Sequence, residues 1–464
     1  MIKNIEISNF RSILTSNIKL NNLTVVVGAN ATGKSNLIKA IDFISDITRF
    51  GLQESIYKRG GFAEILPKQH LSTYDKEISF RIDFDIEPPD NWCDKNLPAL
   101  EVSYELVFTK TKRNTLKIPK ERIKINSLLL IAYFVDNRFE LDSTKNFDLS
   151  DERIAELSNS SIQIFKDARH NLKYEFDFDT GNKENLKLFV SWLGVGSFFK
   201  ETSSKVTLKG VHQITKELLN LHKSAEKKNE LSILSSRRAI FGFSIHLKRI
   251  LSEVQTYGRY DLLINELRQE QPISSGSRVS ISGNNIPSII KRFSKDNPEG
   301  WERVIATMSN ISPYFDSVSS ESLRAGKEYL VFKEVFEGRD IESWESSDGT
   351  LRALAILISV ESHKSGSTVL IEEPEHGLHP WAVKDLISHI KEVIEFKHLQ
   401  VILTTHSQQV LECIEEDELL ITERDANGTR YSSIKQIIPD SEISMGEIGE
   451  LWTRGLLKGV PTSW

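Results

Sequence analysis

Residues 370–380, LIEEPEHGLHP, set three glutamates and two histidines within eleven positions. Glu372, Glu373, Glu375, His376 and His379 each carry a side chain able to ligate a metal ion. Carboxylates here have a second use, because the apolar run before them has the pattern of a buried strand that would present them at a sheet edge. A distant stretch weighs on the choice. Gly28-Ala-Asn-Ala-Thr-Gly33-Lys34-Ser35 fits G-x-x-x-x-G-K-[ST] and lies between the apolar run NLTVVV and a helical pattern. Glycines let backbone N–H groups curl around a phosphate, and a helix start adds partial positive charge. In such a loop Lys34 reaches the β- and γ-phosphates and Ser35 holds Mg²⁺.

A phosphate loop of this kind needs a second strand ending in carboxylates, and TVLIEE supplies it. Glu372 would stand next to the metal, and Glu373 would polarise the attacking water. His406 follows another apolar run, QVILTTH, from which a side chain could reach the γ-phosphate. Pro374 breaks the strand before Glu375, and His376 and His379 lack the H-E-x-x-H helical context. Mg²⁺ held with ATP is therefore the expected metal, not a dedicated zinc.

ESSDGTLRALAILISV, 345–360, adds a second anion-binding helix start, with Ser347 and Gly349 at its opening. One nucleotide does not need two such elements from one subunit, so the natural use is to cap the nucleotide of a partner subunit. Any N-capped core helix would share the Ser and Asp, and only the company of the other motifs favours the functional use.

The elements that must position these residues are legible in outline. KNIEISNF alternates as a strand, and Leu37, Ala40, Ile41 and Ile44 share one helical face. Residues 77–87, 101–109 and 121–135 are β-rich and suggest an antiparallel sheet. From about 210 to 270 the pattern is helical, 274–288 is loop by composition, and 382–396 carries one apolar helical face. LLITERDANGTRYSSIKQI suggests a hairpin turned at Asn427-Gly428.

Bulk properties exclude several classes. An apolar fraction of 39%, a charged fraction of 27% and a net charge of −6 over 464 residues describe an ordinary globular chain, not one that coats polyanions. Cys93 and Cys413 stand alone, which excludes a disulfide framework, and no run approaches a membrane span. With no signal-peptide pattern at the N-terminus, a cytoplasmic location is expected. Two basic clusters are candidate DNA contacts. Lys110, Lys112, Arg113, Lys117, Lys120, Arg122 and Lys124 could track phosphates or form a charged sheet edge, and Arg237, Arg238, Lys248 and Arg249 could be only the wet face of a helix.

The set NFRS, GANATGKSN, SSDGT, IEEPEHGLHP, TTHS and the tail GELWTRGLLKGVP resembles an ABC-type ATPase of the SMC/RecF-like clade. It is most similar to the stand-alone RecF-like or OLD-like ATPases of prokaryotic defence and repair, including those of Septu- and retron-associated PtuA-like pairs. The resemblance implies an α/β P-loop ABC-type ATPase head, a mixed sheet flanked by helices plus an antiparallel β subdomain, with a helical insertion. It would divide into an N-terminal lobe over 1–200, a mainly helical insertion over 201–325 and a C-terminal lobe over 326–464. Asn30, Gly33, Lys34, Ser35 and Asn36 would bind ATP and Mg²⁺, Arg11 would approach the phosphates, Glu373 would be the catalytic base and His406 the switch histidine. Ser347 and Gly349 would contact ATP across a head-to-tail homodimer.

Two departures bear on this. Glu372 stands where the family has aspartate, so it would act through water, and Ala31 stands where relatives often have glycine. Gln53 and Gln69 are alternative Q-loop glutamines, and Arg59-Gly60-Gly61 is a sensing segment or a turn. The stretch after His406 is short and holds no D-x-D, so a separate protein, for instance a nuclease, is the expected effector. Anti-phage defence and RecF-like repair both fit, and a transporter subunit fits poorly because signature and P-loop lie so far apart.

Overall fold

The structure is a computed structural model. It describes residues 1–68, 76–86, 100–113, 115–126, 161–166, 172–177, 199–202, 205–208, 258–276, 278–323, 326–336, 340–439, 443–444 and 446–459. The expected helical stretch before 258, with Arg237, Arg238, Lys248 and Arg249, lies outside these residues, as do Cys93 and Gln69. The chain forms two compact units, one of Met1, Leu20–Asp42 and Thr256–Trp464, the other of Ile2–Lys19 and Phe43–Gln255.

The first unit is α/β. Its six-stranded sheet has the order β11-β16-β17-β3-β18-β19, with β11 Gly258–Tyr260, β16 Thr368–Glu372, β17 Gln400–Thr405, β3 Leu23–Val27, β18 Leu419–Asp425 and β19 Gly428–Ser433. All neighbours are parallel except the β18–β19 hairpin. β3 and β17 are buried at every residue, which is why LTVVV and QVILTT read as unbroken apolar runs. The helices of this unit are the first part of α1 (Lys34–Phe50), up to Asp42, with α4 (Ile264–Arg268), α5 (Ile286–Asp296), α6 (Pro298–Ile311), α7 (Asp348–Glu361) and α8 (Pro380–Lys397). Residues 351–361 of α7 are all buried, as expected of a helix apolar on every side. A smaller sheet of β12 (Gln271–Pro272), β14 (Lys327–Glu334), β13 (Phe315–Leu323) and β15 (Asp340–Glu342) completes this unit.

The second unit carries a nine-stranded antiparallel sheet, order β2-β1-β4-β5-β6-β7-β8-β10-β9, in which β2 is Ile13–Lys19, β8 Leu172–Asp177, β9 Phe199–Thr202 and β10 Lys205–Leu208. Its described core lies in β1 (Ile2–Phe10), β4 (Glu77–Ile86), β5 (Leu100–Lys110) and β6 (Leu116–Ile125), followed by β7 (Ser161–Lys166). Ile5, Ile7, Ile78, Phe80, Ile82, Val102, Tyr104, Leu106 and Phe108 are buried and alternate with polar residues, the mark of a sheet covered on one face. Phe10, Phe43, Phe80 and Phe108 pack ring to ring at centroid distances of 5.3–6.4 Å. The division between the units falls within α1, after Asp42.

The basic cluster at 110–124 runs from the end of β5 into β6, which pairs with β5 along most of its length and with β7 over Arg122–Ile125. Part of its charge is answered across the strands: Glu6 faces Arg81, Arg81 faces Glu105, and Glu105 faces Arg122. Lys120 Nζ also reaches Glu105 at 2.5 Å. Alternating rungs of this kind stabilise a solvated sheet face.

Candidate functional site

At the carboxyl end of β3 the chain leaves the sheet through Gly28–Gly33 and enters α1 at Lys34. Ala31 and Gly33 have φ of 64° and 118°, which turns successive N–H groups toward one side. Asn36 N–H closes the loop onto Gly33 O at 2.8 Å. First-turn N–H groups, here those of Lys34 and Ser35, have no acceptor within a helix. Lys34 is buried, and its Nζ donates to Gly28 O at 2.7 Å and Ala29 O at 3.1 Å. Burial holds its pKa below the ordinary lysine value, against the opposing fields of Glu373 and Glu375. Asn30 is exposed and Ser35 and Asn36 half-buried. This donor set fits a polyphosphate with a divalent cation.

The β18–β19 hairpin braces the loop from outside. Thr422 Oγ1 donates to Val27 O at 3.0 Å, Thr429 Oγ1 to Thr32 O at 2.6 Å and Tyr431 Oη to Gly33 O at 2.8 Å. Ala29 N–H donates to Gly459 O at 2.7 Å. A Cβ on Gly28 would meet Thr422 Oγ1 at 2.2 Å, so its glycine serves the hairpin as much as the loop. Sequence reasoning finds this hairpin but not its task. Its strands pair Asp425 with Gly428, so the turn is Ala426-Asn427, one residue earlier than expected.

β17 pairs with both β3 and β16, with Thr405 opposite Val27 and Thr404 opposite Glu372. The three strands therefore end side by side; Glu373 and His406 follow β16 and β17 directly, and Lys34 follows β3 after the Gly28–Gly33 loop. Glu373 has left the strand in a left-handed conformation, φ 48°. Its N–H donates to Thr404 O at 2.9 Å, and its Oε1 lies 3.4 Å from His406 Nδ1. Both side chains remain substantially exposed, 38% and 48%. Glu375 faces inward: its Oε1 accepts from Thr405 Oγ1 at 2.6 Å and from His406 N–H at 3.2 Å. That contact, rather than metal ligation, accounts for the third glutamate of the stretch.

Glu372 is engaged within its own chain. Its Oε1 accepts from Arg259 on β11 at 2.9 Å, and Arg259 also lies 3.7 Å from Asp42 on α1 and 3.8 Å from Asp261. Sequence reasoning offered no partner for it, because 113 positions separate the two residues.

Ser347 is the N-cap of α7, accepting from Thr350 N–H at 3.1 Å, and both Ser347 and Asp348 are exposed. Asp348 is gripped by Arg268 of α4 at 2.6 Å. A Cβ on Gly349 would meet Gly377 O at 2.7 Å, so this glycine lets the helix start approach the 375–380 loop of the same chain. Further along α7, Arg352 donates to the carbonyls of Glu372 at 3.2 Å and Glu373 at 2.9 Å.

The remaining candidates lie in the second unit. Arg11 sits in the turn between β1 and β2 (Ile13–Lys19), at φ 52°, with its N–H on Ile65 O at 2.8 Å. Arg59 donates to Asp46 at 2.7 Å, stands over the Phe43 ring and leads into Gly60 and Gly61 at φ 84° and 104°. That is the turn reading of this segment. Gln53 is exposed on α2 (Leu52–Tyr57). Among the described residues no helix is long and apolar enough to cross a membrane.

A family model described as AAA ATPase domain matches residues 1–411. Endonuclease GajA of Bacillus cereus (strain VD045) is 27% identical over 252 residues, which cover 52% of this chain and 40% of that protein's length. Among solved structures, the SmcHead bound to the C-winged helix domain of ScpA aligns with a TM-score of 0.44 at 12% identity, covering 94% of this chain and 99% of that one. The SMC head domain from Thermotoga maritima aligns with a TM-score of 0.36 at 12% identity, covering 93% and 98%.

Proposed function

Because the chain belongs to the AAA ATPase domain family, we propose that it binds ATP at the 28–35 loop and hydrolyses it with Glu373 as general base. The observation that carries this is the sheet order β16-β17-β3, which sets Glu373, His406 and Lys34 at adjacent strand ends. Lys34 would turn from the loop carbonyls to the β- and γ-phosphates, with the loop N–H groups and the Asn30 and Asn36 side chains around them. Glu373 would take the proton of the attacking water, and His406, in contact with it, would hold the γ-phosphate side of the site. Mg²⁺, held by Ser35 and, through water, by Glu372, would screen the phosphate charge.

We place the protein with the SMC/RecF-like ATPases on its motif set, and read Ser347 and Gly349 as the elements that cap the ATP of a second copy in a head-to-tail dimer. Its role would be that of the sensor or regulatory ATPase of an anti-phage defence system, controlling a separate nuclease or other effector. The similarity to an endonuclease supports a nuclease connection. The second reading is a RecF-like repair ATPase, and the partner separates the two. Capture of a nuclease from the native host supports defence, whereas capture of recombination mediators overturns it.

The ATPase reading is tested by Lys34→Ala. Equilibrium binding of a fluorescent ATP analogue is expected to be lost, along with hydrolysis. Unchanged affinity would show that the phosphates bind elsewhere.

A further inference from the structure

Arg352 is buried, at 8% exposure, in the second turn of α7, where an arginine is costly unless its donors are used. Its two terminal nitrogens are used on backbone, while Nε has no hydrogen-bond partner among the described residues. Nη1 donates to Leu262 O at 3.2 Å, and Nη2 is shared between Glu372 O at 3.2 Å and Glu373 O at 2.9 Å. Burial draws its pKa below the ordinary arginine value, while Glu375, Asp261 and Glu373 supply negative field that favours the charged form. This guanidinium therefore sits where strand β16 gives way to the turn that carries the general base.

The turn depends on such support. Glu373 is a non-glycine residue at φ 48°, a conformation that persists only where surroundings over-determine it. Its N–H is fixed by Thr404 of β17, and its carbonyl by Arg352 of α7 at 2.9 Å together with His376 N–H at 3.2 Å. Without the guanidinium the Glu372 and Glu373 carbonyls lose their side-chain donor, and the turn is free to relax toward ordinary backbone angles. The Glu373 carboxylate would swing with it.

We propose that Arg352 is a positioning residue for Glu373, tying the helix that opens at Ser347 and Gly349 to the turn that aims the general base. The inference rests on Glu373 being that base. Its consequence is mechanical. Ser347 and Arg352 share the first turns of one rigid helix, so whatever engages Ser347 and Gly349 shifts the clamp on Glu373 of the same chain. Leu262, the third carbonyl on Arg352, lies two residues past β11, so the clamp also grips the segment that follows that strand.

Arg352→Met and Arg352→Lys test it. A displacement of about 1 Å at a reacting group costs roughly 100-fold in rate, so Arg352→Met is expected to lower kcat about 100-fold while ATP affinity changes less than about threefold. Arg352→Lys, which keeps the charge but reaches fewer carbonyls, should recover part of that loss and serves alone if the methionine variant does not fold. Added to Glu373→Gln, Arg352→Met should lower hydrolysis by no more than about threefold further, because the two act as one unit. Without nucleotide, hydrogen exchange in a peptide spanning 370–379 should quicken about tenfold in Arg352→Met, with β3 unchanged. Unchanged exchange in that peptide, or fully additive losses with Glu373→Gln, would overturn the proposal. Retained ATP binding in Lys34→Ala would overturn the ATPase reading instead, so the two failures are distinguishable.

Discussion

Glu373 combines a constrained backbone with an open carboxylate. The left-handed φ costs of order 1–3 kcal/mol, met by the hydrogen bonds from its N–H to Thr404 and from Arg352 to its carbonyl. The side chain touches only His406 among the site residues discussed, at 3.4 Å, and stays accessible to water. Such a residue can be neutralised without disturbing the fold. Glu373→Gln is expected to slow hydrolysis by roughly 10²- to 10⁴-fold while ATP binding persists. Single-turnover hydrolysis beside equilibrium binding measures both, and hydrolysis within about threefold of the unsubstituted protein would remove Glu373 as the base. Glu372 differs by one position and wholly in setting, since Arg259 already holds it.

The elements that could be read from sequence are those whose signal is local. β3, β16 and β17 announce themselves as short buried runs, α8 by its apolar face and α7 by its cap and length. What positions the site was hidden because it comes from far along the chain. Tyr431 reaches Gly33 across 398 positions and Thr429 reaches Thr32 across 397. Arg259 has no local motif around it, and although Arg352 lies three residues past Gly349, nothing in the neighbours of either says which carboxylate or carbonyl it will meet. The third glutamate misleads for the same reason, since Thr405, its partner, lies 30 residues away.

Between α6, α7 and α8 lies a buried ionic group whose behaviour with pH follows from its setting. Glu361 is fully enclosed and held below the ordinary carboxylate range, because Arg303 bonds both its oxygens and Lys397 lies at 2.8 Å, which together outweigh burial. His389 approaches the same carboxylate at 3.6 Å, yet burial dominates and its pKa falls to about 4. It is best described as a neutral ring bonded to Thr307 at 2.8 Å, not as a salt-bridge partner. His363, bonded to Tyr260 at 2.7 Å, falls to about 3, again chiefly by burial. Both rings bind protons more readily when unfolded, near 6.5, than when folded. Their contribution to stability is therefore complete above pH 6.5 and declines as pH falls, toward 4 for His389 and toward 3 for His363. At pH 5 each loses about 2 kcal/mol. Thermal unfolding at pH 7 and pH 5 should show this fall, and His389→Gln should remove about half of it. An equal fall in the variant would mean that His389 is protonated in the native state.

For the molecule as a whole, the question is what the start of α7 is for. Gly349 lies against Gly377, while Ser347 and Asp348 stay exposed, so the helix start faces outward beside the 375–380 loop. In that loop His379 packs near Trp381 at 5.9 Å, and Trp381 is 41% exposed, an aromatic of the kind enriched at contact surfaces. On the proposed reading, one chain offers a phosphate loop at one place and an anion-binding helix start at another, an arrangement that two copies related head to tail would satisfy mutually. Closure would be held by ATP and released by hydrolysis, so a variant that binds without hydrolysing should accumulate the closed form. Light scattering on Glu373→Gln is expected to give a doubled mass with ATP and Mg²⁺ and a single mass without nucleotide. Ser347→Arg added to that variant fills the anion site with a bulky side chain, and should abolish the doubling while leaving ATP bound to the monomer. A Glu373→Gln protein that stays strictly monomeric with saturating ATP would sink the dimer. Doubling that survives Ser347→Arg would assign the contact to another surface of the chain.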